Sequence, residues 1–145
     1  MRLIIVMLLL LGIIVSGCID NPLKQVPVVK VNITFMEKEG KFYPENYTLT
    51  QGMVDYAARP MNTNVEKFPA ISARTMVVKN NTNGTIETLG LWENLPFKGK
   101  GTYNFNIGFN EKYYPAKGDL VHISIIVSDE KAQRVGYVVE NKVWE

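Results

Sequence analysis

The sequence predicts an all-β protein: a single antiparallel β-sandwich of about seven strands at residues 28–145, behind an N-terminal signal or anchor helix. Several stretches after Val28 alternate apolar and polar residues with the period of two that a half-buried strand shows. Gly, Pro, Asn and Asp cluster between these stretches, as they do in turns. No segment of the domain has the apolar spacing of an amphipathic helix. Short strands separated by turn signals favour a sandwich.

The first two predicted strands differ in the clarity of their patterns. The first begins at Val28, and its apolar set alternates with polar residues: Val29, Val31, Ile33 and Phe35. The second is short and rests on Tyr47 and Leu49. Residues 53–69 fit neither a helix nor a strand, and Pro60 excludes a helix interior there. We interpret them as a long connection.

The second half of the chain carries the remaining strands. They are predicted at residues 70–79, 85–92, 102–109, 120–127 and 135–144. The Asn-rich segment at 80–84 joins the first two as a hairpin turn, because Asn and Gly tolerate the positive φ of such turns. In the strand at 120–127 the expected buried residues are Val121, Ile123, Ile125 and Val127.

The first 17 residues have the three parts of a secretory signal. Arg2 supplies a positive charge, residues 3–15 are apolar, and the small residues Ser16 and Gly17 follow. An apolar run of this length is shorter than the roughly 18 residues of a spanning helix. We therefore interpret residues 1–17 as a signal peptide.

The tetrad Val15-Ser16-Gly17-Cys18 resembles the lipobox of bacterial and archaeal lipoproteins, with Val in place of the usual Leu. The resemblance implies that a diacylglycerol is attached to the Cys18 sulfur and that the chain is cut just before this residue. It also implies an anchor on the extracytoplasmic face of the cell membrane. An ordinary signal cut elsewhere, or an uncut anchor with an incidental Cys, is the alternative.

Residues 18–27 are interpreted as the lipidated Cys and a tether, because this segment contains two prolines and little apolar content. Eight tether residues span at most about 30 Å, so the domain lies near the bilayer. The formal net charge of the chain is +2, one unit of which is Arg2, and this charge does not favour a nucleic-acid partner. Because Cys18 is the single Cys, no intrachain disulfide is expected.

A segment near the C-terminus resembles the last strand pair of immunoglobulin-like and fibronectin type III-like domains. It is YYPAKGDLVHISIIVSDEKAQRVGYVV, residues 113–139. In those domains a turn with Pro and a Gly-Asp pair introduce a strand of alternating aliphatic residues. The resemblance implies an immunoglobulin-like architecture. The Cys–Trp–Cys framework and the corner Tyr of true immunoglobulin domains are missing from this sequence.

Residues for catalysis or metal binding are few. His122 is the single His, and Ser124 shares its strand face, which is the spacing for a nucleophile and a base. The alternative is an ordinary polar outer face, since no carboxylate is placed to orient the His. A zinc site requires three or four clustered His, Cys or acidic ligands. The chain has one His and one Cys, so no metal is expected. No phosphate-binding motif is present, and no cofactor is expected.

Exposed aromatic residues are the stronger indication of binding. Trp92, Tyr113 and Tyr114 are the candidates, because exposed rings stack on sugars or anchor protein partners. Tyr113 and Tyr114 are adjacent, so both cannot face the core of an extended segment. The alternative is that these rings close the ends of the sandwich.

Four N-glycosylation sequons begin at Asn32, Asn46, Asn80 and Asn83. They are more than a random placement of the same Asn, Ser and Thr residues would give. They predict modification only in a cell with the transferase. The alternative is that Asn and Thr crowd together in turns and on the outer faces of strands.

The function predicted from these observations is non-catalytic: binding a partner, or supporting an envelope complex, by a protein anchored to the membrane through Cys18. An envelope protein or a glycan is the expected partner, and nucleic acid is not. One alternative is an accessory subunit of a transporter or another membrane complex, which a contiguous exposed apolar patch would favour. A second is a small enzyme, which requires a polar pocket around His122 or paired carboxylates.

Overall fold

A computed structural model describes residues 23–60, 67–80, 83 and 86–145. The predicted signal peptide, Cys18 and most of the predicted tether lie outside these ranges. The strands are β1 (Gln25–Lys38), β2 (Lys41–Asp55), β3 (Ala70–Asn80), β4 (Ile86–Pro96), β5 (Gly101–Ile107), β6 (Leu120–Ser128) and β7 (Arg134–Val143). One 3₁₀ turn (Tyr56–Ala58) follows β2. Within the described ranges, no helix has the length and apolar character needed to cross a membrane.

The strands form two antiparallel sheets, and the predicted all-β class is confirmed. One sheet has three strands in the order β2-β1-β5, and the other has four in the order β4-β3-β6-β7. Consecutive strands pair as hairpins in β1–β2, β3–β4 and β6–β7. Apolar side chains from both sheets meet in one core, so the arrangement is sandwich-like.

β1 is the central strand of the three-stranded sheet. Its inward residues Val29, Val31, Ile33 and Phe35 are all buried, as the alternation predicts. The strand begins at Gln25 rather than at the predicted Val28. Residues 25–28 pair with β2 alone, so the missing N–H of Pro27 does not interrupt a two-sided ladder.

β2 is far longer than its sequence pattern predicts, and it includes residues expected in a connection. It pairs with β1 along its whole length, from Lys41 opposite Lys38 to Asp55 opposite Gln25. Few of its side chains are buried, because it lies at the edge of its sheet; Leu49 is the clear exception. An edge strand of this kind has little apolar alternation to reveal it.

Aromatic rings close one end of the core. The ring of Phe97 lies 5.8 Å from that of Phe35 and 4.7 Å from that of Phe42, centroid to centroid, both edge to face. Tyr103 stacks on Phe97 at 5.5 Å, and its hydroxyl donates to the carbonyl of Gly99. Such ring pairs add stability beyond the area that they bury.

Asp119 fixes the turn that leads into β6. Its carboxylate accepts hydrogen bonds from the Ala116 N–H and from Lys79 Nζ, each at 2.7 Å. Burial raises the pKa of Asp119, but the hydrogen bonds and the Lys79 charge outweigh burial and hold the pKa below its usual value. The Pro-containing turn is therefore held to β3 by a charged pair.

Side chains join β2 to β7 along one side of the sandwich. Gln51 Nε2 donates to the Val143 carbonyl at 3.2 Å, and the Glu145 N–H donates to Gln51 Oε1 at 3.0 Å. Lys142 Nζ donates to the Leu49 carbonyl. These bonds tie the C-terminal strand to the first hairpin.

Candidate functional site

The outward side of the four-stranded sheet is the most extensive candidate surface, and we call it the outer face. Strand register sets its side chains in rows that run from β4 to β7. Four such rows are Thr88-Val78-Leu120-Val143, Gly90-Met76-His122-Asn141, Trp92-Arg74-Ser124-Val139 and Asn94-Ser72-Ile126-Tyr137. Four strands of this length cover on the order of 600 Å² in projection. A standard protein interface uses about 800 Å² of accessible surface per partner, so the face is large enough for one.

Large apolar side chains of the outer face are exposed. Their exposed fractions lie between 42% and 59%, and they are Trp92, Leu120, Tyr137, Val139 and Val143. Met76, Val78 and Ile126 lie between them and are half-buried. Single exposed apolar residues are ordinary, whereas a set that shares one sheet face marks a surface for association.

A polar centre interrupts this apolar surface. His122 Nδ1 lies 2.7 Å from Asn141 Oδ1, and because an amide oxygen only accepts, the ring nitrogen is the donor. Ser72 Oγ donates to Asn94 Oδ1 at 2.8 Å. Most of the polar groups at the centre thus have partners within the face.

Arg74 lacks such a partner among the described residues. Its guanidinium carbon lies 4.9 Å from the centre of the Trp92 ring, which is cation–π distance. Its Nε is the one buried side-chain nitrogen or oxygen among the described residues without a hydrogen-bond partner. None of the ion pairs between described residues includes Arg74. The side chain is therefore held against the Trp92 ring and has no ion-pair partner among the described residues.

Gly90 makes room for this arrangement. A Cβ at position 90 would lie 2.9 Å from Arg74 Nε and 3.1 Å from the Thr75 carbonyl oxygen. Glycine inside a strand is unfavourable unless something approaches closely, and here Arg74 does. The missing side chain at position 90 thus leaves space for Arg74 beside Trp92.

The charges of the outer face are all of one sign. In the four rows no position is Asp or Glu. A second arginine, Arg134, stacks on Tyr137 at 5.0 Å at the same side of the sheet. The face therefore combines exposed apolar groups with arginines held on aromatic rings.

A cavity of about 400 Å³ lies beside the start of β1 and is the second candidate site. Val26, Val28, Leu91, Phe109 and Tyr114 supply apolar parts of its wall. It is at the lower end of the size range of ligand pockets.

A partly exposed ion pair borders this cavity. Arg59 pairs with Glu111, and the Tyr56 hydroxyl donates to the same carboxylate at 3.2 Å. Arg59 also lies 4.4 Å over the Tyr56 ring. Arg59 thus resembles Arg74 in its stacking and differs in having a carboxylate partner.

Glu93 is buried close to the cavity, on the inward side of β4. Its Oε1 accepts the Gly108 N–H at 2.9 Å, and a Cβ on Gly108 would lie 3.4 Å from the same oxygen. Burial raises the pKa of Glu93 to about 7, and the Gly108 hydrogen bond offsets part of that effect. None of the described Lys or Arg side chains pairs with this carboxyl, and with a pKa of about 7 it changes charge near neutral pH.

The predicted aromatic residues do not form one surface. Trp92 lies on the outer face, while Tyr114 contacts the core and lines the cavity. Tyr113 is half-buried and has Lys112 Nζ 5.4 Å from its ring. The two adjacent tyrosines thus differ in their contacts.

His122 and Ser124 share the outer face, as predicted, but no hydrogen bond joins them. The partner of the His122 ring is the amide of Asn141 rather than a carboxylate. An amide does not supply the negative charge that stabilises an imidazolium during catalysis. In the described ranges no group of three or more His, Cys, Asp or Glu could hold a metal ion.

Two of the four sequon asparagines lie on the outward side of the three-stranded sheet. Asn32 and Asn46 are both exposed there, in neighbouring strands. Asn83 is an exposed turn residue. Asn80 ends β3, and its side chain lies outside the described part of the structure.

The sequence prediction missed Arg74. The sequence does contain a signal for it. Arg74 is one of the residues that face outward in the alternating stretch 70–79, and Gly90 is a glycine within the predicted partner strand. That the two positions meet depends on the β3–β4 register, which the sequence alone does not define.

Comparison of the chain with protein-family models, with curated proteins and with solved structures gives no match. What the outer face can do therefore follows from its own residues.

Proposed function

We propose that this chain is a lipid-anchored protein of the extracytoplasmic face of the cell membrane that binds a partner protein and catalyses no reaction. The observation that supports this role best is the outer face, where exposed apolar side chains of adjacent strands form a surface that no described segment of the chain covers. The anchor is supported by the Val15-Ser16-Gly17-Cys18 motif behind an apolar run. Two acyl chains on one Cys hold a protein stably to a bilayer, whereas one chain does so only marginally.

The distance from the anchor to the domain supports a partner at the membrane. β1 begins at Gln25, so the backbone from Cys18 to the fold spans at most about 25 Å even when extended. A domain held this close reaches membrane proteins and other envelope components beside it. We therefore favour an accessory subunit of a membrane complex, such as a transporter, as the specific form of the role.

The immunoglobulin-like architecture is part of this proposal. The order β3-β6-β7 in the four-stranded sheet is that of strands C, F and G in immunoglobulin domains. Two features differ from the constant-type order: β1 lies inside its sheet, and β4 belongs to the sheet of β3. The likeness is thus one of sandwich architecture with a rearranged first sheet.

Engineered cysteines test both parts of the proposal at once. If Cys18 is acylated, the mature protein has no thiol, and Val139→Cys adds a single reactive group on the outer face. A matched control is Thr50→Cys, an exposed position on the other sheet. Cells or native membranes are treated with a maleimide that does not cross the cytoplasmic membrane, and the purified proteins are treated in parallel.

We expect the wild type to remain unlabelled and Thr50→Cys to react in both settings. Val139→Cys should react fully when purified and be protected several-fold in native membranes, because the partner covers it. Labelling of the wild type contradicts acylation, and failure of Thr50→Cys to react in intact cells contradicts the extracytoplasmic location. Equal labelling of Val139→Cys in both settings contradicts the docking role.

A further inference from the structure

We infer that the partner presents a carboxylate, flanked by apolar side chains, to Arg74 on the outer face. This inference rests on the proposed docking role and adds the chemistry by which the partner is recognised. Its basis is the one charged side chain in the four rows of the face, which has no counter-charge among the described residues.

The hydrogen bonds that Arg74 lacks indicate what it binds. A guanidinium has five N–H donors in a planar fork that matches a carboxylate. Nε is buried without a partner, and no other hydrogen bond of Arg74 is formed with a described residue. Of the three guanidinium nitrogens, Nε is buried, whereas the two terminal nitrogens are the donors that solvent or a partner reaches. These terminal nitrogens have no acceptor among the described residues, so they are free to form the paired hydrogen bonds that a carboxylate accepts from a guanidinium.

The surroundings of Arg74 prepare it for such a bond. The centre of the Trp92 ring lies 4.9 Å from the guanidinium carbon and restrains its position. The absence of a side chain at Gly90 leaves room for the guanidinium there. A stacked Arg loses less side-chain freedom when it binds than a free one does. The apolar side chains around it exclude water from the contact, which strengthens a charged hydrogen bond.

Arg59 shows the completed form of the same arrangement within this molecule. It too stacks on an aromatic ring, that of Tyr56, and it is paired with the Glu111 carboxylate. Arg74 has the Trp92 ring beside it but no carboxylate partner among the described residues. The difference between the two sites is the group that we assign to the partner.

A second copy of this chain is a poor occupant. Two copies packed outer face to outer face would bring together two Arg74 side chains and no carboxylate, because no outward position of the four rows is acidic. Like charges opposed in an interface weaken association. A different protein, with an acidic residue among apolar ones, fits the charge pattern.

A phospholipid surface is also a poor occupant. Adsorption to anionic lipid uses clusters of about four to eight basic residues, each worth on the order of 1 kcal/mol. The outer face has Arg74 within its rows and Arg134 at its margin. The side chains of His122 and Asn141 are already hydrogen-bonded to each other.

The test uses the full, processed chain in its own membranes, with the photo-crosslinker p-benzoylphenylalanine in place of Val139. Crosslinked partners and the crosslinked residue are identified by mass spectrometry. Yields are then compared for Arg74→Gln, Arg74→Glu, Gly90→Ala and the control Arg59→Gln. Gly90→Ala displaces Arg74 without removing its charge, and thermal melts confirm that each variant is folded.

We expect a crosslink to another protein, with an Asp or Glu near the crosslinked residue. Arg74→Glu should lower the yield at least about tenfold, since breaking one side of a desolvated charged pair is costly. Gly90→Ala and Arg74→Gln should lower it several-fold, and Arg59→Gln should leave it unchanged. Replacing the partner's acidic residue with Arg should restore the yield of Arg74→Glu.

Other results overturn the inference in distinguishable ways. A crosslink to another protein that Arg74→Glu does not change, or a partner surface without an acidic residue, removes the carboxylate and leaves the docking role in place. Crosslinks to a second copy or to phospholipid assign the face to those occupants instead. A folded, processed protein that gives no crosslink at position 139 removes the docking role and the inference together.

Discussion

Glu93 Oε1 accepts a hydrogen bond from the Gly108 N–H at 2.9 Å, which joins an edge strand of one sheet to the segment that leaves the other. Both residues are buried. Thr75 completes the link, because its hydroxyl donates to the Gly108 carbonyl at 2.6 Å. A single glycine thus has both of its backbone groups satisfied by side chains of the opposite sheet, and those side chains should control local stability.

The first prediction concerns pH. Burial raises the pKa of Glu93 from 4.5 to about 7, so between these values the folded state holds a proton that the unfolded chain has released. The free energy of unfolding should therefore fall as the pH rises through this window, by up to about 3 kcal/mol, and stay lower above it. Urea unfolding of the wild type and of Glu93→Gln between pH 5 and pH 8 measures this. The Gln variant should lose this slope.

Asp119 provides the internal comparison for that experiment. Its pKa is lowered, so the stability that it contributes is present above its unfolded pKa of 3.8 and is lost as the pH falls below it. The two carboxyls therefore act in separate windows with opposite signs. A wild-type slope between pH 5 and pH 8 that persists unchanged in Glu93→Gln would assign it to another group.

The second prediction concerns Thr75. Thr75→Val keeps the shape of the side chain and removes the donor to Gly108, which leaves a buried carbonyl without its partner. The cost should be about 1–3 kcal/mol in the free energy of unfolding. Thr102→Val is the control, because its hydroxyl meets Thr34 Oγ1 in an exposed place and water can replace it. Equal losses for the two variants would contradict the role given to the buried bond.

The third prediction compares neighbours on β1. Phe35 is fully buried among the rings of Phe97 and Tyr103, whereas Met36 points outward and is about half exposed. Phe35→Ala should cost about 3–5 kcal/mol and Met36→Ala no more than about 0.5 kcal/mol. Chemical denaturation at one pH measures both. A loss at Met36 as large as at Phe35 would show that the strand faces are reversed.

The fourth prediction concerns the anchor. Cys18→Ala removes the sulfur on which the proposed lipid anchor depends, so the variant should accumulate as a precursor with residues 1–17 or be released from the membrane. Membrane fractionation and intact mass measure this, after an alkaline wash that removes proteins held only by other proteins. Recovery of Cys18→Ala in washed membranes at the mature mass would exclude acylation as the anchor.

Much of the fold is predictable from alternation, because burial on one side of a sheet leaves a period of two in the sequence. The predicted buried set of β6, from Val121 to Val127, is confirmed, and so is that of β1. The pattern fails at β2, an edge strand that buries little, although pairing with β1 makes it long. The pattern also fails at Pro27, because a proline usually indicates the end of a strand. Here β1 continues through Pro27, since at that point it pairs with β2 alone.

The candidate site is less predictable than the fold. Trp92 is identifiable as an aromatic residue in an outward position, yet its importance depends on Arg74 across the β3–β4 ladder. That pairing is a matter of register, and the hairpin turn that sets register lies among Asn and Gly residues that allow several turn lengths. That Arg74 forms no ion pair with a described residue is visible only once the sheets are assembled.

The position of β1 determines how the molecule would respond to being pulled. If a lipid on Cys18 were seated in the bilayer and the outer face held by a partner, tension would enter the fold at Gln25. It would run along β1, which is bonded on both sides from Val29 to Phe35, half of its length. Load applied along such a strand is shared by many backbone hydrogen bonds at once, whereas load across an edge strand opens them one by one. The order β2-β1-β5 would thus make the domain a stiff mechanical link between membrane and partner.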